Sequence, residues 1–375
     1  MKKGWQNISF GELGRVFNGN SISEAEKKAH FEGVEDGVPY IGTKDVSFEH
    51  EVAYESGVKI PDDKRDGFKL APANTVLVCA EGGSAGRKIA HTDREIYFGN
   101  KLFAVCPSPP ISSRLIFYYC LSGDFTKQFK GSMAGLIGGV SINKFKELSV
   151  PVPPLAEQQR IVGLLDEAFD GLATAKANAE RNLQNARALF EIHLQSVFTQ
   201  RGPGWVETTI GDQLTLQRGF DITKVQQNTG EVPVVSSGGI KSYHDKAMAK
   251  GPGVVIGRKG TLGKVFYTES DYWPHDTTLW VKDFKGNEPR FVYYLFAGLN
   301  VKKLDSGAAN PALNRNQVHP IEVTWPQVAQ QKALVETLDA LEEETQRLAR
   351  LYERKHAALE ALKKSLLHQA FTGAL

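Results

Sequence analysis

Two long stretches of the chain carry one apolar stripe each. From Leu155 to Thr199, apolar residues recur at Ile161, Leu165, Ala168, Leu172, Ala175, Ala179, Leu183, Ala186, Phe190, Leu194 and Val197. The steps alternate between three and four residues, no proline interrupts them, and the only glycines are Gly163 and Gly171. That spacing predicts a helix with a coiled-coil seam. A second stretch repeats it at Leu334, Leu338, Leu341, Thr345, Leu348, Tyr352, Lys355, Leu359, Leu362 and Leu366. Glu342-Glu343-Glu344 lies toward its start and Lys363-Lys364 toward its end, the signs that suit a helix dipole. A lone apolar stripe must be buried, and two in one chain predict that each covers the other. The expectation is a long antiparallel helix pair, each helix about 60 Å at a rise of ~1.5 Å per residue.

The rest of the chain is patterned in shorter units, and it is patterned twice. Trp5 to Gly11 resembles Trp205 to Gly211, and Gly83-Ser-Ala-Gly-Arg87 resembles Gly260-Thr-Leu-Gly-Lys264. Tyr118-Tyr119 matches Tyr293-Tyr294, and Ile142-Asn143 matches Leu313-Asn314. Gln158-Gln159-Arg160 matches Gln330-Gln331-Lys332, and Phe198-Thr199 matches Phe371-Thr372. Six matches in one order indicate a duplication. The offset falls from 200 to 177 between the first two matches, so the first copy has the longer early region. Within each copy, β-like runs come first: Val76–Ala80 and Ile96–Phe98, then Gly253–Ile256 and Lys264–Tyr267. A helical run follows, Ser113–Lys130 in one copy and Pro289–Leu304 in the other. Then comes a proline stop, Val150-Pro-Val-Pro-Pro154 or Val323-Thr-Trp-Pro326, which a helix start tolerates. The reading is an α+β chain with a pseudo-twofold internal repeat. Its parts are a β-rich head at 1–150, a spacer helix at 151–200, a second head at 201–325 and a second helix at 326–375.

Composition narrows the function. The 375 residues are 41% hydrophobic and 23% charged, an ordinary globular mix. Lys+Arg is 45 against Asp+Glu 43, so any nucleic-acid contact must come from a local basic face. Cys79, Cys106 and Cys120 form no CxxC pair, which argues against a disulfide framework or zinc site and for a reducing cytoplasm. The opening MKKGWQNISF lacks the apolar run of a signal peptide, and no stretch of about 18 apolar residues suggests a membrane span. No catalytic centre emerges. Gly257 to Lys264 imitates a phosphate loop, but its spacing is wrong and Val265 stands where Ser or Thr would bind Mg²⁺. Asp62-Asp63-Lys64 lacks a nuclease pattern, the nine histidines are scattered, and there is no Gly-x-Ser-x-Gly elbow. Two heads on a rigid spacer without chemistry of their own suggest a binding protein.

One segment is more specific. Val150-Pro-Val-Pro-Pro-Leu-Ala-Glu-Gln-Gln-Arg-Ile-Val162 resembles the start of the central helix in specificity subunits of type I restriction–modification systems. The glycine turns at 83–87 and 260–264, Phe98-Gly-Asn100 with Leu102-Phe103, Gly139 to Asn143, Leu313 to Asn316 and Gln369 to Gly373 extend the resemblance over essentially the whole chain. The second copy departs at Trp325-Pro326-Gln327, which lacks the double proline and the Glu. The resemblance implies two target-recognition domains that read the halves of an asymmetric, bipartite double-stranded DNA site. It implies spacer helices that recruit two modification subunits, and restriction subunits beyond them. It places S-adenosylmethionine, ATP and Mg²⁺ on those partners, with no catalysis, cofactor or metal on this chain. Two other assignments stay open at this stage: the recognition subunit of a type II system with a fused nuclease–methyltransferase, and a coiled-coil adaptor that binds no DNA.

Phosphates call for Lys and Arg, and base edges for Arg, Lys, Asn, Gln, Ser or Thr. The loop candidates in the first head are Lys44, Lys64, Arg65, Lys69, Arg87, Lys88, Arg94, Asn100 and Lys101. In the second they are Arg218, Lys241, Tyr243, His244, Arg258, Lys259 and Lys264. Arg87-Lys88 and Arg258-Lys259 stand out because adjoining glycines let a phosphate come close. For the modification subunits the expected surface is the exposed helix faces near the heads, including Glu157, Gln158, Arg160 and Gln331.

Overall fold

The computed structural model describes residues 3–134, 138–199, 202–299 and 312–375. They form two compact units, one of residues 1–178 with 355–375 and one of residues 179–354. The long helices, Leu155–Thr199 and Val328–Thr372, have 45 residues each and contribute to both units.

In the first unit, strand Gln6–Ser9 pairs antiparallel with Ser149–Val152, which leads into the first long helix. A four-stranded antiparallel sheet runs in the order Gly14–Asn18, Leu102–Pro107, Val76–Cys79, Ile89–His91. A second sheet runs Lys59–Ile60, Val38–Ile41, Ile96–Phe98, Leu70–Ala71, with its middle pair parallel. Val76–Cys79 is an unbroken apolar run because both of its faces are buried. Val76 and Val78 join the cluster around Phe10 and Phe145, while Leu77 and Cys79 join that of Ile41 and Phe98. The helical run expected over Ser113–Lys130 is two helices, Ser113–Cys120 and Gly123–Gly131. Buried Ser122 separates them, its hydroxyl accepting from the Phe125 N–H at 3.2 Å as an N-cap.

The second unit repeats this plan. Val206–Thr209 pairs with Glu322–Trp325. A four-stranded sheet orders Thr215–Arg218, Thr278–Asp283, Gly253–Gly257, Val265–Thr268. A three-stranded sheet orders Gly239–His244, Val232–Ser236, Trp273–Pro274, again with one parallel pair. The first unit's longer early region holds helix Glu24–His30, where the second has the short turn Lys224–Gln226, and strand Lys59–Ile60, where the second has the hairpin strand Gly239–His244; strand Leu70–Ala71 is matched only by the bridge Ala249–Tyr272. Helix Pro289–Gly298 fills the start of the run expected to Leu304, whose end lies outside the described residues.

Each unit also pairs its two helix stretches, antiparallel. In the first, Arg160 Nη2 donates to the Leu375 carbonyl at 2.9 Å and Lys176 meets Glu360 at 3.0 Å. Ile161 and Leu165 join Leu367, Ala370 and Phe371 in the core of the head. In the second, Arg187 meets Glu353 at 2.7 Å, and Leu194 packs with Leu338 and Tyr294. The first apolar stripe faces inward along its predicted positions. The second does not keep its predicted phase: Lys355 and Leu362 are exposed, and His356, Lys363 and Leu367 turn in instead. A helix of 3.6 residues per turn drifts against a strict 3.5 repeat, so the buried line moves by one residue along its length. Lys363 fits there because its ammonium lies 5.1 Å from the Phe169 ring centre while its stem fills the seam.

Candidate nucleic-acid interface

The site is built around one glycine turn, present in both heads. Gly86 and Gly263 have φ of +65° and +70°, the left-handed region that favours glycine. Each closes its loop with a backbone bond, from Gly86 N–H to Cys79 O at 2.8 Å and from Gly263 N–H to Gly257 O at 2.9 Å. A Cβ on Gly86 would stand 2.5 Å from Phe129 Cδ1, so the turn is also pressed against the core. A loop fixed in this way can present its flanking side chains with little conformational freedom left to lose on binding.

In the first head, three loops meet beside this turn. Lys88 Nζ donates to Thr43 O at 2.9 Å, which ties residues 42–48 to the turn, and Ala80 N–H donates to Lys101 O at 2.8 Å, which ties in residues 99–101. The loops that carry Lys44, Arg87, Lys88, Asn100 and Lys101 thus adjoin one another, while Lys44 itself borders the cleft lined by Glu24, Lys27 and Phe31. Phe48, 48% exposed, stands against the basic pair, with Arg87 4.9 Å and Lys88 5.2 Å from its ring centre. Its only sequence signal was an aromatic between two polar residues, Ser47-Phe48-Glu49, and the apolar Val46 two positions earlier favours a buried reading instead. Lys101 faces Glu81 at 3.2 Å, so part of its charge is answered within the loop. Lys64 Nζ reaches the His30 carbonyl at 3.4 Å, and Arg65 stands 3.9 Å from Asp62. Lys69 donates to Asn18 O at 3.0 Å, and Arg94 pairs with Asp93 over the Tyr54 ring.

In the second head, the equivalent loops are 236–239, 257–264 and 275–277. Both Arg258 and Lys259 N–H groups donate to Thr277 O, at 2.9 and 3.1 Å, and Ser237 N–H donates to the Thr277 hydroxyl at 3.3 Å. Arg258, Lys259 and Lys264 therefore share one surface, while Lys241 and Tyr243 are exposed on the strand that leaves it. The basic pairs sit on opposite flanks of the turn: Arg87-Lys88 follows its second glycine, and Arg258-Lys259 precedes it. Arg218 is answered by Asp221 and Asp276 at 3.2 and 3.4 Å, which leaves less of its charge for a phosphate. Burial holds His275 below its ordinary value, against the pull of Asp276 at 2.8 Å. His244 is a correction. It is buried, its ring packs edge-on against Trp273, and its Nδ1 accepts from Asn228 N–H at 3.1 Å, so it supports the loop and does not reach outward.

The glutamines expected on an exposed partner surface are corrected as well. Gln158 and Gln331 are both buried. Gln158 Oε1 accepts from Ser112 N–H at 2.8 Å and its Nε2 donates to Pro153 O at 3.0 Å. Gln331 does the same with Glu288 N–H at 2.9 Å and Pro326 O at 3.0 Å, and it also donates to Asn287 Oδ1 at 2.7 Å. Both join a head to a helix start by satisfying backbone groups that would otherwise be buried unpaired. Gln158 therefore corresponds to Gln331, one position on from the match read in the sequence. Glu157 and Arg160 lie on the helix surface, bonded to each other at 2.7 and 2.8 Å.

Among the described residues, no group of three or more His, Cys, Asp or Glu side chains is placed to hold a metal ion, and no helix is long and apolar enough to cross a membrane. A family model, the type I restriction modification DNA specificity domain, matches residues 2–182 and 203–353. The specificity subunit of the type I restriction enzyme EcoBI from Escherichia coli is 24% identical over 207 residues, 52% of this chain. The match spans 39% of that relative's length. A chain from a structure of complex assembly and conformational transition of the type I R-M system aligns over 100% of this chain and 99% of that one, with TM-score 0.83 at 16% identity. The HsdS subunit from Thermoanaerobacter tengcongensis aligns over 100% and 98%, with TM-score 0.65 at 16% identity. At such identity these two likenesses are of fold.

Proposed function

The chain belongs to the type I restriction–modification DNA specificity family, with two target-recognition domains, and on that premise we propose how it works. Each head reads one part of a split double-stranded DNA site in the cytoplasm, and the long helices set the number of unread base pairs between the parts. Two modification subunits dock on the helices and bring S-adenosylmethionine. Restriction subunits bring ATP and Mg²⁺. This chain supplies selection and geometry, and the chemistry happens on its partners.

The observation that carries this reading is one scaffold built twice with different loops. The sheets, the glycine turn and the glutamine joints repeat, while the side chains around the turn do not. A shared frame with divergent loops suits two readers of unlike sequences, which makes the target asymmetric. Lys44, Arg87, Lys88 and Lys101 on one head, with Lys259, Lys264 and Lys241 on the other, supply phosphate contacts that hold the duplex in register without specifying bases. Asn100, Phe48 and Tyr243 supply the groups suited to base edges and thymine methyl groups. Each head reads only a few base pairs at ~1–3 kcal/mol each. Joining two such readers raises the effective concentration of the second once the first is bound. Heads that meet the same face of B-DNA stand about one turn, ~34–36 Å, apart.

Fluorescence anisotropy of labelled duplex DNA with the chain and its modification subunits tests the reading. Binding that weakens steeply with salt and survives excess poly(dI-dC) for one sequence class supports it. Association with the subunits but with no duplex at any salt concentration would make the chain an adaptor and overturn it.

A further inference from the structure

The same three side chains fasten each head to a long helix. In the first unit, Arg114 and Tyr118 lie one turn apart on helix Ser113–Cys120 and converge on Asp166 of the first long helix. Arg114 Nε and Nη2 donate to Asp166 Oδ1 at 2.9 and 2.8 Å, and the Tyr118 hydroxyl donates to that same oxygen. In the second unit, Arg290 and Tyr294 converge on Asp339 of the second long helix, with Arg290 Nε on Oδ1 at 2.9 Å and the Tyr294 hydroxyl on it too. The surroundings differ. Phe169 packs edge-on against Tyr118, ring centres 5.2 Å apart, with Phe117 and His91 nearby. In the other joint Glu342 accepts from the Tyr294 hydroxyl at 2.8 Å and from Arg290 Nη2 at 3.3 Å, and Arg290 also lies 4.8 Å from the Tyr267 ring centre. One arginine is thus held by one carboxylate in the first unit and by two in the second.

We propose that this arginine–tyrosine–carboxylate joint is a positioning device that fixes the angle of each head on its helix, and so sets how strictly the protein enforces the spacing between the two parts of its DNA site. The proposal rests on the DNA-reading function above. The glutamine joints pin only the first turn of each long helix, and farther along the contact is apolar, as where Ile161 and Leu165 enter the first head's core. Apolar contact holds two surfaces together without preferring one rotation over another. Charge-assisted hydrogen bonds that converge on one oxygen are directional and do prefer one. Half-exposed ion pairs contribute little to stability, so the recurrence of the same cluster in both units argues for geometry as its use. The joint is the place where a small tilt at the helix becomes a larger displacement at the reading loops.

The test uses the full chain reconstituted with its modification subunits, and duplexes carrying the recognised site with its native spacer or with one base pair more or fewer. Asp166→Asn is expected to lower the preference for the native spacer about tenfold. Tyr118→Phe, which removes one hydroxyl and keeps the ring, should lower it less. Asp339→Asn should also lower it less, because Glu342 remains. Preference for the correct bases within each half should stay within about twofold in all three, which separates positioning from general loosening. Spacer preference unchanged in folded Asp166→Asn and Tyr118→Phe proteins overturns the proposal, and so does base preference that falls in step with it. If Asp166→Asn does not fold, Tyr118→Phe decides alone. Failure of the wild-type complex to bind any bipartite duplex overturns the functional reading and this proposal together, whereas spacer-indifferent wild-type binding overturns the proposal alone.

Discussion

Arg258 and Lys259 are neighbours in the chain and differ in what they can still do. Arg258 is half-buried and its Nη1 donates to the Asp276 carbonyl at 3.4 Å, while the Lys259 side chain is exposed beside the turn. Lys259→Ala should therefore reduce the slope of log K against log salt by about one and weaken binding evenly across sequences. An unchanged slope in an anisotropy titration would take this loop out of the interface. His91 makes a different test. Burial, then the nearby Arg114, lowers it from its ordinary 6.5 to about 4, while Asp166 and Asp93 pull the other way. The unfolded chain binds that proton near its ordinary value and the folded chain only near 4. Its contribution to stability is thus complete above pH 6.5 and is lost as pH falls toward 4. The melting temperature of the wild type should fall more steeply over that range than that of His91→Gln; parallel curves would contradict this. The types of these residues were plain in the sequence, but their commitments were not. Arg218 is answered by an aspartate 58 positions away, and His244 is covered by Trp273. Such pairings are facts of tertiary structure, invisible to any local pattern.

The stripe on the first long helix was legible because alanine and leucine at three- and four-residue steps leave only one face to bury. On the second helix the pattern misled at Lys355 and Leu362. A long cation lies in the seam at Lys363, and reading by hydropathy alone prefers the leucine next to it. The joints were misread for a related reason, since a glutamine on a helix reads as solvated. Gln331 is instead an acceptor for Glu288 N–H and a donor to both Asn287 and Pro326. Gln331→Ala removes the partner of Glu288 N–H and a donor to Pro326 O, while Asn287 Oδ1 keeps Trp325 Nε1 at 2.7 Å, and should cost about 1–3 kcal/mol. Gln330→Ala, at the position the sequence match had equated with Gln158, loses bonds at a partly exposed site to Pro203 O and Gln327 N–H and should cost clearly less. Thermal melting of both variants checks the order, and equal costs would restore the register read in the sequence. A further test lies in the small residues of the first helix. Ala186 is 5% exposed, so Ala186→Leu should overpack the second unit's helix contact by about 1–3 kcal/mol.

At the scale of the whole chain, the duplication was the most legible feature, because matches in one order survive where no single motif is decisive. The paired sheets make it concrete: in both units a two-stranded ladder precedes the long helix and a parallel pair lies in the second sheet. What the sequence could not show was where the copies diverge in space: helix Glu24–His30 in one head stands where the other has only the short turn Lys224–Gln226, and strand Val38–Ile41 pairs with Lys59–Ile60 whereas its counterpart Val232–Ser236 pairs with the adjoining hairpin strand Gly239–His244. That divergence on a common frame is the physical reason to expect two unlike half-sites. The decisive measurement is sequencing of the methylated bases in a cell that expresses this chain with the proposed modification subunits. One new motif is expected, asymmetric and interrupted by unread bases, with N6-methyladenine in each half. A continuous motif, or methylation indifferent to sequence, would contradict that expectation.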